Sequence, residues 1–175
     1  MNDIRFVVAP LKIHFEKVGE KEKIFSKEYN ALSEFEEDPV GQWLKLAKAR
    51  GETGESDQVL LTLLVELHKK VDRLTDIIKG EEKAHLTLRE HTMINNIGFE
   101  HIMIEENLFV AGERYYARVE MPVFPKREIP LFLNALSDNV ASISNIHEKD
   151  ERDWATYVTA RERVMIREAK AKKLS

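Results

Sequence analysis

The sequence predicts an α+β fold in which a small antiparallel β-barrel or sandwich is joined by an N-terminal strand, a helical insertion and a C-terminal helix. Apolar residues follow helical spacing over 39–50, 57–79 and 148–172. Between the last two of these segments, from residue 86 onward, the apolar period becomes two, and turn residues separate several short strands. A chain of 175 residues accommodates one domain with an appendage, or two small domains.

The N-terminal segment, residues 1–33, is expected to contribute strand and loop that join the barrel. Its apolar residues alternate at Leu11, Ile13 and Phe15. Alternation of this kind predicts one or two strands over 4–18, broken at Pro10. Residues 19–33 are polar and without a clear period, so we expect them to be irregular.

The helical insertion, residues 34–82, begins with a short amphipathic helix at 39–50. Asp38 can cap this helix, Pro39 suits its first position, and Gly51 follows as a stop. Its apolar residues fall at i, i+3, i+4 and i+7: Val40, Trp43, Leu44 and Ala47.

The second helix of the insertion, residues 57–79, carries a heptad repeat. Ser56 is expected to cap it and Gly80 to end it. Six apolar residues spaced 4-3-4-3-4 occupy its a and d positions: Leu60, Leu64, Leu67, Val71, Leu74 and Ile78. This pattern predicts self-association, whereas the alternative is a hairpin that packs this helix on the first helix and the barrel within one chain.

The number of associated chains stays open between a dimer and a tetramer. β-branched residues at two a positions, with Leu at every d position, favour dimers. Apolar residues at the flanking e and g positions favour larger bundles, and these are Leu61, Leu63 and Ile77.

The last predicted unit, residues 83–175, contains the strands and the C-terminal helix. The expected strands are 86–94, 97–104, 113–121, 129–137 and 139–146. Turn signals separate them at Asn95-Asn96, Ala111-Gly112, Pro122 and Asp138-Asn139. Residues 148–172 return to a helical pattern.

Composition and motifs exclude several classes of function. The chain has no cysteine, and it has no phosphate-binding glycine loop, nucleophile elbow or zinc-protease helix. Its six histidines do not stand at metal-typical spacings. We therefore expect no catalytic residue, no metal and no cofactor, and hence no enzyme.

Charge and hydropathy limit the environment of the protein. No run of 18 apolar residues is present and no secretory signal is visible, so we expect a cytoplasmic protein without a membrane span. The net charge of −4 argues against nucleic acid as a partner. The chain ends in a basic stretch, which is either a solvated helix end or a contact for lipid headgroups or nucleic acid.

Residues 93–100, Met-Ile-Asn-Asn-Ile-Gly-Phe-Glu, resemble the second signature segment of PilZ domains, which are small β-barrel receptors for cyclic di-GMP. Residues 148–163 resemble the closing helix of that family, with an acidic start, a central aromatic and an Arg-x-Arg end. The resemblance spans 86–167. It implies a PilZ-like barrel with an N-terminal strand and a C-terminal helix. The added helices are similar to those of atypical PilZ proteins, which form tetramers through a parallel bundle of heptad helices.

The sequence departs from the ligand-binding pattern of the family. Where the family has Asp or Asn, then Ser, then Gly, this chain has Met93, Asn95 and Gly98. No Arg-x-x-x-Arg pair lies upstream of Gly98. Two pairs with that spacing lie downstream and are interpreted as coincidence: Arg114 with Arg118, and Arg163 with Arg167.

Two functions follow from the resemblance and its departures. The first is a non-catalytic adaptor in bacterial cyclic di-GMP-linked signalling, for motility or pili, which contacts an unidentified signalling protein and binds the nucleotide weakly or not at all. The alternative is a true cyclic di-GMP receptor that uses non-standard residues, namely Arg89, Asn95 and Gly98.

Overall fold

The computed structural model divides the chain into two compact units. Its described residues are 4–34, 39–80, 85–122 and 127–174. The first unit combines Met1–Tyr29 with Thr87–Ser175, and we call it the barrel unit. The second, Asn30–Leu86, is the helical unit.

The barrel unit contains a closed antiparallel barrel of six strands, in the order β1-β2-β3-β6-β5-β4. The strands are β1 Val7–Lys17, β2 Glu90–Ile97, β3 His101–Ile104, β4 Arg114–Met121, β5 Arg127–Ala135 and β6 Val140–Asn145. Four helices complete the described secondary structure: α1 Glu22–Glu34, α2 Pro39–Ala49, α3 Gln58–Lys79 and α4 Glu148–Leu174. The predicted α+β class and small antiparallel barrel are therefore confirmed.

The barrel interior is filled by alternate residues of the strands and closed by α4. Phe15, Phe109 and Tyr115 form an aromatic cluster, with ring centroids 5.0 Å apart for Phe15–Phe109 and 5.8 Å for Phe15–Tyr115. Trp154 and Val158, one turn apart on α4, are buried in the same core. The C-terminal helix is thus part of the barrel's hydrophobic core.

The strand β1 runs unbroken through Pro10. Its pairing with β2 shifts register between Val8 and Leu11, which marks a bulge. Proline is tolerated at such a position because a bulged residue need not donate a ladder hydrogen bond. Of the two alternatives for the N-terminal segment, the single strand is correct.

The expectation of an irregular segment over 19–33 is wrong, because α1 occupies most of it. Phe25 is buried and stacks on Tyr116 of β4, with ring centroids 5.0 Å apart. Arg118 of β4 forms an ion pair with Glu28, Nη1 to Oε1 at 2.5 Å. The first two turns of α1 therefore cover the outer face of β4.

The phenol of Tyr116 donates a hydrogen bond to Glu28, O to Oε1 at 2.9 Å. Burial, and then the negative charge of Glu28, raise the pKa of Tyr116 well above its ordinary value. Burial and the charge of Asp150 likewise raise the pKa of Tyr29 to about 12. Both tyrosines are therefore held neutral in the folded protein at pH values where the unfolded chain ionises.

We expect the folded protein to lose stability above the pH at which an unfolded tyrosine ionises, about 10. The contribution of Tyr116 is fully present below that pH and is lost as the pH rises, because the unfolded state then binds fewer protons than the folded state. Melting temperatures measured from about pH 9 to pH 11 should fall more steeply for the wild type than for Tyr116→Phe. Parallel curves for the two proteins would contradict this assignment.

In the helical unit, α2 contacts α3 and buries Leu44 and Ala47. Asp57, and not Ser56, caps α3: its carboxylate accepts hydrogen bonds from the backbone N–H groups of Val59 and Leu60. Gly80 ends the helix as predicted, in a left-handed conformation with φ of 71°. The proposed cap of α2, Asp38, lies outside the described residues.

Candidate functional site

The six heptad residues form one continuous stripe along α3, which we call the seam. No residue of α3 is buried. The exposed fractions of the seam residues run from 51% for Val71 to 85% for Ile78. An apolar stripe of this length on one helix is unusual for a surface that stays in water.

The contact with α2 does not bury the seam. The half-buried positions of α3 are Leu61, Val65, Glu66 and Lys69. At about 100° of rotation per residue, Leu61, Val65 and Lys69 lie roughly 100–180° around the helix from Leu60. The half-buried residues of α3 thus lie mainly on the side away from the seam, and α2 leaves the seam uncovered.

Gly98 lies in the turn between β2 and β3, packed against backbone on both sides. Its N–H donates to the carbonyl of His101 at 2.7 Å, and its carbonyl accepts from the indole Nε1 of Trp154 at 3.0 Å. A Cβ at this position would lie 2.9 Å from the carbonyl oxygen of Arg5. Gly98 is not among the glycines with positive φ, so close approach and not φ requires glycine here.

The turn predicted at Asn95-Asn96 is wrong. Both residues lie within β2, where the pairing with β3 shifts register between Ile94 and Asn96. Asn95 is exposed at this irregularity, three residues before Gly98. The polar pair that resembled a turn is a bulge, and the turn itself follows Gly98.

Arg89 lies at the opposite end of β2 from Gly98. Its Nε contacts Oε1 of Glu16 at 3.3 Å, and its side chain is 75% exposed. The eight residues of β2 separate it from Gly98, and these nine residue steps correspond to about 30 Å at 3.3 Å per residue. The structure therefore brings Asn95 near Gly98 and places Arg89 at the far end.

Of the downstream arginines with family-like spacing, Arg114 and Arg118 take part in packing, whereas Arg163 and Arg167 are exposed. Arg114 donates to Glu22, Nη1 to Oε1 at 2.6 Å, and its guanidinium lies 4.5 Å from the ring centroid of Phe132. Arg118 contacts Glu28 as described above. Arg114 and Arg118 therefore attach α1 to the barrel. Arg163 is an exposed residue in the second half of α4.

Across residues 4–34, 39–80, 85–122 and 127–174, no group of three or more His, Asp or Glu side chains is placed to hold a metal ion. None of the helices in these ranges combines the length and apolar character needed to cross a bilayer.

No protein-family model, curated protein or solved structure matches this chain. The resemblance to PilZ domains therefore depends on residues 93–100 and 148–163 of the sequence, and membership of that family is a proposal.

Proposed function

We propose that this chain is a non-catalytic, PilZ-like regulatory or adaptor protein of the bacterial cytoplasm that self-associates through the seam of α3. It would act in cyclic di-GMP-linked signalling, for motility or pili, by contacting another signalling protein. The observation that carries the proposal is the seam: six apolar heptad residues that α2 leaves exposed.

The free energy available from the seam supports association. Fully burying one Leu, Ile or Val side chain contributes about 1.5–3 kcal/mol. Because the seam residues are already about half covered by their own helix, six of them contribute roughly 5–9 kcal/mol per chain, or about twice that in a dimer. The total for a dimer is comparable to the free-energy cost of association, which is about 4–15 kcal/mol.

The barrel supports the PilZ-like part of the proposal. Gly98, the retained residue of the family signature, is packed between Arg5 and His101 and accepts the Trp154 hydrogen bond from the closing helix. The signature segment and the closing helix therefore meet at a position where glycine is required.

We expect cyclic di-GMP to bind weakly or not at all. Charged hydrogen bonds contribute about 1.5–3 kcal/mol each, so the absence of two clamping arginines costs roughly 3–6 kcal/mol, or two to four decades of affinity. Titration calorimetry with cyclic di-GMP should give no dissociation constant below about 10 μM.

The alternative function is a true receptor that uses Arg89, Asn95 and Gly98. Its support is that Arg89 and Asn95 are exposed, with Arg89 contacting Glu16. A dissociation constant below about 10 μM that is abolished by Arg89→Ala would overturn the adaptor proposal in favour of the receptor. The separation of Arg89 from Gly98 along β2 argues against that result.

A further inference from the structure

Helix α2 presents a large aromatic side chain to solvent. Trp43 is 66% exposed, and Leu46, three residues later, is 57% exposed. Leu44 and Ala47 of the same helix are buried where α2 contacts α3. The apolar stripe of α2 is therefore wider than its contact with α3, and the part that carries Trp43 stays exposed.

The two helices form a hairpin. Backbone hydrogen bonds keep the connection between them compact, with the N–H groups of Glu52, Gly54 and Ser56 donating to the carbonyls of Ala47, Gly51 and Thr53 at 3.1, 3.4 and 3.1 Å. Helix α3 therefore begins beside the end of α2. Its half-buried residues Leu61, Val65 and Lys69 recur about once per turn from that end. This spacing indicates that α3 runs back along α2 in the opposite direction.

Trp43 and the seam lie on the same face of this hairpin. At about 100° per residue, Leu60 is rotated by about −140° from Val65, which lies in the middle of the half-buried side of α3. On α2, Trp43 is rotated by about −40° from Ala47, and Leu46 by about −100°. Two antiparallel helices are related by a two-fold axis perpendicular to their common plane, so rotations of the same sign lead to the same face of the pair. We call the seam together with Trp43 and Leu46 the extended face.

The extended face supplies apolar area that the seam alone does not. The exposed halves of the six seam side chains amount to roughly 200–350 Å² per chain. A stable interface buries about 800 Å² per partner, and in homodimers about 65% of it, roughly 500 Å², is apolar. An aromatic side chain buries about 150–250 Å² in full, so the exposed two thirds of Trp43 add roughly 100–160 Å². Trp43 and Leu46 thus bring the apolar area close to what a stable dimer buries.

We propose that a second copy of this chain packs on the extended face, so that two α2–α3 hairpins associate and the partner hairpin buries Trp43. This inference rests on the proposed self-association through the seam and adds α2 to it. The occupant is a second copy because Trp43 borders a heptad stripe, whose spacing suits an identical helix. The extended face also carries no charged side chain that would call for a partner of opposite charge. Tryptophan is a common anchor at protein interfaces.

The fluorescence of Trp43 tests this proposal in the wild-type chain. Trp43 and Trp154 are its two tryptophans, and Trp154 is buried in the barrel core, so Trp43→Phe supplies the Trp154 signal for subtraction. As the protein concentration rises from submicromolar to tens of micromolar, the emission of Trp43 should shift to shorter wavelength and its quenching by acrylamide should fall. Both changes should follow the mass measured by light scattering. The double variant Leu67→Glu with Val71→Glu is the dissociated reference, in which Trp43 should stay solvated at every concentration.

Substitutions on α2 locate the effect. Trp43→Ala should weaken association at least about tenfold, as expected for a buried aromatic anchor, whereas Trp43→Phe should retain most of it. Lys45→Ala is the matched control, because Lys45 is exposed and lies about 160° around α2 from Trp43. We expect Lys45→Ala to associate like the wild type and circular dichroism to show equal helix content in all three variants. If Trp43→Ala loses helix, the concentration dependence of the wild-type fluorescence decides.

Two results would overturn this inference and leave the self-association through the seam standing. One is a wild type that assembles while Trp43 stays open to acrylamide, and the other is an association constant that Trp43→Ala leaves unchanged. Shielding of Trp43 in the dissociated double variant would also overturn the inference, because the cover would then come from the same chain. A wild type that stays a single chain with Trp43 solvated would overturn the seam and the extended face together.

Discussion

Replacing Leu67 and Val71 together with Glu should convert the assembled protein into single chains. The two positions are neighbouring d and a sites at the middle of the seam, 58% and 51% exposed in one chain. In a helix bundle their replacements would place like charges opposite one another in apolar surroundings, where an unpaired charge is strongly disfavoured. Light scattering after size exclusion should show the mass fall from that of a dimer or tetramer to that of one chain.

A matched control separates the seam from the helix as a whole. Thr62 is exposed and lies roughly 200° around α3 from Leu60, so Thr62→Glu adds a charge away from the seam. We expect Thr62→Glu to keep the wild-type mass, while Leu67→Glu alone weakens association. A wild type that is already a single chain at tens of micromolar would refute the proposed assembly.

Gly98→Val should lower the melting temperature. The fall should be larger than for Gly54→Val, which changes a glycine in an open turn. The new Cβ would lie 2.9 Å from the carbonyl oxygen of Arg5, a backbone atom that cannot rotate away. Relieving the clash moves the turn and strains the hydrogen bonds of Gly98 to His101 and Trp154. Overpacking costs about 1–3 kcal/mol, which corresponds to a fall of roughly 2–12 °C for a chain of this size.

Gly54→Val is the comparison for that experiment. A Cβ on Gly54 would lie 3.5 Å from its nearest neighbour, the carbonyl of Gly51, which is an ordinary contact. We expect no change in the melting temperature of the barrel. If Gly98→Val also melts like the wild type, Gly98 is an ordinary turn residue and the support it lends to the PilZ-like proposal is lost.

The sequence predicted those strands and helices whose patterns lie within a single segment of the chain. The alternation of 113–121, the proline and glycine that bound α2, and the helical stripe of 148–172 each correspond to a strand or helix of the structure within a few residues. The heptad repeat is also local, because one helix carries all six of its positions. The exposure of the seam was not readable from the sequence, since it depends on which face of α3 meets α2.

The missed helix α1 depended on contacts that are distant in sequence. Its apolar signal consists mainly of Phe25 and Tyr29, one turn apart among charged residues. Phe25 is buried against Tyr116 and Tyr29 is half-buried against Phe132, partners that lie about 90 to 100 positions later in the chain. The alternation of β4 placed Tyr116 and Arg118 on the face away from the core, and α1 covers that face.

A cleft in the barrel unit, lined by residues that include Phe99, Glu151 and Trp154, could likewise not be predicted from the sequence. Its residues come from three segments between 99 and 154, and none of them forms a motif. The polar pair Asn95-Asn96 obscured this region further, because a β-bulge and a turn share the same residue preferences. The packing of α4 on the barrel brings Phe99 and Glu151 to one surface.

The second half of α4 shields a strand edge from other proteins. Among the described residues β4 pairs with β1 only from Ile13 to Lys17, so the outer side of Val8 has no strand beside it. Arg161 donates to the carbonyl of Val8 at 2.7 Å, and the N–H of Val8 donates to the sulfur of Met165 at 3.4 Å. A chain shortened before Arg161 would present these groups to any extended peptide, and edges of this kind nucleate intermolecular sheets. The turns of α4 around Arg161 and Met165 therefore occupy a strand edge that another chain could otherwise pair with.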